Sequence, residues 1–313
     1  MPTDMTERTE GHEGRSGRHD APGKRADRDA ADRVTGLDAL ELGGRPVEER
    51  TLGRLGGNVW RAAWPKLLAV GIVIALWQAA YWAELKPPYA LPAPGEVFSE
   101  LGSLVGTADF WESVRLTMVR AITGFSLAVL IGTLVGAAVA RFTPLRAAIG
   151  SLITGLQTMP SIMWFPLAIL LFQISESAIM FVVVIGAAPS VANGLISGID
   201  YVPRTWLRVG QVLGMRGFAK YRHLILPASL PSFISGLKQG WAFSWRSLMA
   251  GELLVIVPGA LSIGVRMQGA RDLVDAPLVI AYIIVVLVLG ILIDILFNAA
   301  DNALRRRWGL TAS

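Results

Sequence analysis

Residues 202–231 read VPRTWLRVGQVLGMRGFAKYRHLILPASLP, a basic, partly amphipathic interruption between two apolar runs. Ser177 to Ile199 ahead of it carries no charged residue for 23 positions, and Leu224 to Leu237 behind it is apolar again. Between them fall Arg204, Arg208, Arg216, Lys220 and Arg222, with no acidic residue from Tyr201 to Met249. Lys and Arg gather on the cytosolic side of a membrane protein because basic loops are poorly translocated. The stretch is therefore expected to face the cytosol.

Its internal layout is more specific than its charge. Trp206, Leu207, Val209, Gly210, Val212 and Leu213 are spaced for one short helix, after which Gly214 permits a tight turn. Phe218, Tyr221, Leu224 and Ile225 fit a second short helix, which Leu226-Pro227 is expected to break. Two stubby helices at an angle, too small for a core of their own, suit docking into a partner.

Gly214, followed ten positions later by Leu224-x-Leu226-Pro227, resembles the cytoplasmic coupling loop of bacterial ABC importer permeases. That family's loop opens with Glu-Ala-Ala three residues before the glycine; here Arg208, Val209 and Gly210 stand there, inverting the leading charge. Gly236 to Leu254, GLKQGWAFSWRSLMAGELL, is similar to the sulfonate, taurine and nitrate branch. The resemblance covers roughly residues 92–308. It implies an all-α integral membrane protein of the type I ABC importer permease fold. It also implies a second copy of the permease, an ABC ATPase subunit that binds ATP and Mg, and an extracytoplasmic substrate-binding protein. ATPase coupling would fall to Arg208, Val209, Gly210, Gly214, Phe218, Tyr221, Leu224, Leu226 and Pro227. The implied cargo is a small anion, an aliphatic sulfonate or taurine, with nitrate, bicarbonate or a small nitrogenous precursor as alternatives.

Composition agrees with a membrane protein. Of 313 residues 53% are hydrophobic, with a mean hydropathy of +0.49, above the ordinary soluble range. Residues 1–57 hold 10 Lys/Arg against 12 Asp/Glu, a balance of −2, so the rest of the chain carries +7. The basic excess thus belongs to the membrane part, and no nucleic-acid partner is needed to explain it. Residues 1–58 are rich in Gly, Arg, Asp and Glu and cannot bury enough apolar surface to order themselves. They read as a disordered cytosolic tail, without the apolar core of a signal peptide.

The spans follow in order. A first helix is expected within residues 59–84, with Trp60, Trp64 and Lys66 at one interface and Trp77, Tyr81 and Trp82 at the other. An external loop at 85–112 holds an amphipathic helix from Gly95 to Val105. A five-span core occupies 113–303. Ala121 to Ala140 is its first uncharged run, with Gly124, Gly132 and Gly136 spaced for close helix packing. Ala147 to Ser175 is uncharged for 29 residues but carries Pro160 and Pro166, which should kink or break it. Irregular backbone at membrane depth is tolerated mainly where it lines a cavity, so Gln157, Thr158, Ser161 and Trp164 are pathway candidates; a merely bent, packed helix stands beside that reading. Ser177 to Ile199 carries Pro189 as a further kink.

The fifth span, Pro227 to Val257, is interrupted by Lys238, Arg246 and Glu252. Charges inside a membrane segment tend to face a water-filled cavity or a partner. Lys238 near the cytosolic end has the length to snorkel. Arg246 is a candidate for attracting an anion on the path, since guanidinium pairs bidentately with such oxygens; a structural ion pair is the competing role. Glu252 joins it as a pathway candidate, although six positions on it lies about 240° round the helix, against an intrahelical pair. Ser262 to Asp275 reads as an external loop suited to a delivery protein. Ala276 to Ile293 is the last uncharged run, Asp294 follows it at a packing contact, and a basic C-terminus occupies 304–313 with Arg305-Arg306-Arg307. Six spans with cytosolic N- and C-termini satisfy the charge asymmetry, and the resemblance implies the bacterial cytoplasmic membrane.

Catalysis on this chain is not expected. No G-x-x-x-x-G-K-[ST] occurs among its five lysines, there is no cysteine, and His223 is the one histidine outside the tail; no metal site can be assembled. The alternative to an ABC importer is an ion-coupled secondary transporter using Arg246, Glu252 and Asp294, but the internal repeat usual in that class is not visible.

Overall fold

The computed structural model describes residues 52–307, whose regular structure is all helical. The chain divides into residues 1–69 and 70–313; of the first unit, the described part is the opening of helix α1 (Leu52–Trp82). Residues 52–58, expected in the disordered tail, are therefore helical, and the helix continues through Pro65 into the apolar run that follows. The rest of that tail, residues 1–51, lies outside the described residues.

Helix α2 (Pro94–Val105) lies where the amphipathic pattern put it, with Pro at its first turn and Pro94 and Val97 buried. Helix α3 (Ala108–Arg141) begins thirteen residues before the uncharged run. Thr107 caps it, its hydroxyl accepting from the Phe110 N–H at 3.3 Å. The early charges fit the helix in two ways: Arg115 pairs with Glu112 at 2.6 Å on its surface, and Arg120 turns inward.

The long segment with two prolines is broken once. Helix α4 (Thr143–Thr158) stops before Pro160, a 3₁₀ turn spans Ser161–Trp164, and helix α5 (Phe165–Phe172) leaves at 106° to α4. Met159 is extended, φ −76° and ψ 128°, as the proline ring behind it requires. Pro166 does not break anything: it occupies the first turn of α5, where its missing N–H has no partner to lose.

Helix α6 (Glu176–Asp200) continues through Pro189 without interruption. Helix α7 (Arg204–Val212) and the single turn α8 (Gly217–Lys220) follow, then a π turn over Tyr221–Ile225 and helix α9 (Leu226–Leu254). The expected stop at Leu226-Pro227 does not occur. The Leu226 N–H bonds the Tyr221 carbonyl, five residues back, and this wider turn makes room for the Pro227 ring and its absent donor. The segment expected as a loop at 262–275 contains helix α10 (Ile263–Asp272), capped by Ser262. Helix α11 (Ala276–Arg307) closes the order and takes the first of the basic C-terminal residues into its last turn.

Four helices are long and apolar enough to cross a membrane (α1 from Trp64, α3, α6 and α11), and the bent pair α4–α5 would make five. Helix α9, at 29 residues, has the length for a bilayer at about 1.5 Å per residue, but its charges depress its hydropathy. The expected six spans are reached only with both α4–α5 and α9 counted.

Helix α6 is the axis of the bundle, packed between α3 and α9. Glycine sets both approaches. A Cβ on Gly132 would lie 2.6 Å from the Ala188 carbonyl, and one on Gly136 2.9 Å from that of Ala192, so the spaced glycines of α3 are contact points. Toward α9, Gly194 and Gly236 meet backbone to backbone. The central core joins Ala121, Phe165, Ile179, Val183, Trp241 and Leu248. A second cluster, Phe110, Val114, Ile263, Tyr282 and Val285, ties α3 to α10 and α11.

Candidate functional site

Helices α6 and α9 run antiparallel, so the segment joining them and the far ends of the pair lie at opposite ends of the bundle. The joining segment is a built turn. Leu213 ends α7, Gly214 follows at φ +73°, the Met215 N–H bonds the Gly210 carbonyl at 2.8 Å, and the Gly214 N–H bonds that of Gln211 at 3.0 Å. These paired bonds close a Schellman motif, whose left-handed position favours glycine. Gly210 is buried, and a Cβ there would come within 2.9 Å of the Leu224 side chain. Gly210 and Leu224 thus hold the two helices against one another. Val209, Phe218, Tyr221 and Leu226 face out, as do Trp206, Val212 and Leu213, with Phe218 76% and Val212 88% exposed. Arg208 is exposed, and Pro227 sits half-buried in the first turn of α9.

No atom lies within 4 Å of a Cβ placed on Gly214, so substitution there acts through the backbone alone. Gly214→Leu is expected to strain the turn by about 1–2 kcal/mol and to slow transport, whereas Gly214→Asn, which visits the left-handed region readily, should retain it. Equal rates for both variants and the parent in a vesicle uptake assay would show that the turn's geometry does not matter.

At the proline break, Gln157 and Ser161 meet α6, whereas Thr158 faces out. Gln157 Nε2 donates to Ser190 Oγ at 3.1 Å, and Asn193 Nδ2 donates to Gln157 Oε1 at 3.4 Å. Thr158 is exposed and donates within its own helix to the Gly155 carbonyl. Ser161 is half-buried beside Gly186, and Trp164 packs against the central core. Among the described residues no hydrogen bond links this group to Arg246.

The charges of α9 divide by face. Glu252 is fully buried. Its carboxylate accepts from Arg120 Nη1 at 3.0 Å, from Thr117 Oγ1 at 3.0 and 3.1 Å, and from the Gly264 N–H at 3.1 Å. Arg120, 3% exposed, also donates through Nε to Glu176 at 2.8 Å. Thr117 Oγ1 further accepts from the Ile263 N–H at 3.1 Å. This knot binds α3, α6, α9 and the start of α10 at the end of the bundle away from the Gly214 turn. Arg120 and Thr117 escape notice in the sequence because a search for uncharged runs treats Arg120 as a boundary. The usable signal was the cap at Thr107, which puts Arg120 several turns inside α3.

Arg246 takes the other face of α9. It is exposed, with its guanidinium 5.5 Å from the centre of the Phe243 ring, and no structural ion pair holds it among the described residues. Lys238 does not snorkel freely: Nζ lies 3.2 Å from Asp294 and 2.7 Å from Asn298 Oδ1, both on α11. Arg146 is paired as well, 2.5 Å from Asp200, fastening the α3–α4 connection to the end of α6 beside the turn unit.

Tightly crossed apolar helices, with a buried ion-pair knot at one end and an exposed basic helix–turn–helix at the other, describe a multi-pass membrane protein. Residues 128–306 match the family described as binding-protein-dependent transport system inner membrane component, and the chain belongs to that family. It is the permease subunit of an ABC importer. It is 25% identical over 257 residues to the taurine transport system permease protein TauC of Escherichia coli K12, covering 78% of this chain and 92% of that protein. It is 28% identical over 244 residues to the putative aliphatic sulfonates transport permease protein SsuC of the same organism, covering 78% and 90%. In three dimensions it is similar to a chain of the MetNI methionine ABC transporter in an inward-facing conformation, with a TM-score of 0.50 and 17% identity over 62% of this chain and 93% of that one. That likeness concerns the fold, type I.

Proposed function

We propose that this chain carries a small solute with an anionic head, an aliphatic sulfonate or taurine, across the bacterial cytoplasmic membrane as one of two permease copies. An extracytoplasmic binding protein delivers the anion, and a separate ATPase pair, holding ATP and Mg, drives the cycle. The observation that carries the coupling is the α7–Gly214–α8 unit, which exposes Trp206, Val209, Val212, Leu213 and Phe218 together. An apolar patch of this kind, rimmed by Arg204, Arg208 and Arg216, is a surface for a partner. Seated in a groove of the ATPase, the unit would move when the ATPase dimer closes. Because it joins α6 directly to α9, that motion would pass into the bundle as a rigid-body change. The Arg-Val-Gly at 208–210 gives this docking face a basic leading charge, so an acidic counterpart is expected on the ATPase.

The likeness to TauC and SsuC, a taurine and a putative aliphatic sulfonate permease, supports this cargo. The opposite end, where α10 is held by Glu252, faces the periplasm in this reading and offers the landing place for the binding protein. The test is deletion of residues 204–224. Gly198 and Ser229 are already in close approach where α6 and α9 converge, so the remaining residues can bridge the gap. The shortened chain is expected to insert in the membrane and to lose the ATPase on affinity purification. Undiminished ATPase recovery would remove the docking role from this segment.

A further inference from the structure

One face of α9 carries polar side chains, of which Lys238 is paired across to α11 and Arg246, among the described residues, is not. Ser235, Lys238, Gln239, Ala242 and Arg246 recur at three- and four-residue intervals and so form a stripe along the helix. The residues that enter the bundle, such as Gly240, Ser244, Leu248 and Glu252, lie on the other side. The stripe opens on a cleft of about 410 Å³, whose far wall includes Gly290 and Asp294 of α11.

The charge of this cleft can be counted. Lys238 is compensated by Asp294 at 3.2 Å, which leaves Arg246 with no carboxylate in ion-pair range among the described residues. The balance is one positive charge. A guanidinium on a membrane-depth helix is costly against lipid and calls for water or a counter-anion. Beside it, Trp241 and Trp245 stack with ring centres 6.2 Å apart and planes at 22°. A Cβ on Gly290 would stand 3.4 Å from Trp245 Nε1, so the glycine leaves room for the indole edge. The cleft therefore offers a fork of N–H donors next to a flat apolar wall.

We propose that the α9–α11 cleft is a binding site for a small organic monoanion. The Arg246 guanidinium pairs two oxygens of the oxyanion head, and Trp245, backed by the largely buried Trp241, seats its short carbon chain. An amino group at the other end of a zwitterion is received by an indole face. One uncompensated positive charge neutralises a monoanion and leaves a dianion half-balanced, so sulfate is disfavoured. The site's place in transport rests on the importer reading above; its existence does not.

The absence of cysteine from the chain makes Ala242→Cys a unique reporter in the cleft. In the purified permease–ATPase complex, a methanethiosulfonate bearing a sulfonate is expected to label this cysteine roughly tenfold faster than one bearing trimethylammonium. Ethanesulfonate should slow the reaction, sulfate should not, and Arg246→Gln should erase the preference. Uptake of taurine and of ethanesulfonate into proteoliposomes carrying the full transporter should fall about 30-fold or more with Arg246→Gln. Arg246→Lys should retain more of it, and ATPase recovery should be unchanged in both. No labelling by either reagent, equal rates, protection by sulfate equal to that by ethanesulfonate, or full uptake by Arg246→Gln would each overturn the site while leaving the permease assignment in place. If Arg246→Gln fails to assemble, the labelling rates and their protection decide the matter alone.

Discussion

Arg120→Ala is expected to lower the stability of the solubilised protein by about 3–5 kcal/mol, the cost of leaving one member of a buried ion pair uncompensated. Glu252 has no exposure to solvent, and Arg120 is its cation. Thr117 and the Gly264 N–H would still donate to the carboxylate, but neither carries the charge that balances it. The distinguishing result is rescue. Adding Glu252→Gln to Arg120→Ala removes the orphaned charge while keeping an oxygen for Thr117 and Gly264, and is expected to recover much of the loss. Glu252→Gln alone should cost less than Arg120→Ala, because Arg120 retains Glu176. Thermal denaturation followed by size exclusion in detergent gives the comparison. A double variant no more stable than Arg120→Ala would show that charge balance is not what holds this end together.

Parts of this architecture were legible because a local rule leaves one solution. Gly214 is readable because the left-handed position after a short helix disfavours a side chain, and φ +73° is found there. Pro160 is readable because its ring disfavours helix at Met159, and Met159 is extended. Arg246 and Glu252 lie on different faces, about 240° apart round the helix over six residues, and the one is exposed while the other is buried. Other parts depend on contacts remote in the chain. Glu252 meets a partner 132 residues away in Arg120, and nothing local distinguishes it from a pathway carboxylate. Pro227 escapes the local rule: a proline stops a helix only if the preceding backbone cannot widen, and the π turn at Tyr221–Ile225 widens it. The continuity from α8 into α9 matters for the proposed coupling, since it joins the docking unit to a spanning lever with no flexible link between.

That lever has a fulcrum, and Gly194→Leu is expected to destroy it. A Cβ at Gly194 would lie 2.6 Å from Gly236 Cα and 3.2 Å from the Ser232 carbonyl, and a Cβ at Gly236 2.7 Å from Gly194 Cα. These neighbours are backbone atoms, so no rotamer change relieves the clash and the whole of α9 must move away from α6. Gly194→Ala already falls in the overpacking range of about 1–3 kcal/mol; leucine adds a branched side chain in the same space and should leave no monodisperse protein after extraction. Gly150→Leu is the control, since no atom comes within 4 Å of a Cβ there, and it should behave as the parent. Between these limits lies the functional reading. Gly194→Ala, if recovered, should still bind the ATPase through the intact Gly214 unit yet transport slowly, because helices held apart at their crossing pass less of the imposed motion to the far end. Parental uptake by Gly194→Ala at parental stability would mean that the α6–α9 crossing is looser than these distances allow, and that the force takes another route through the bundle.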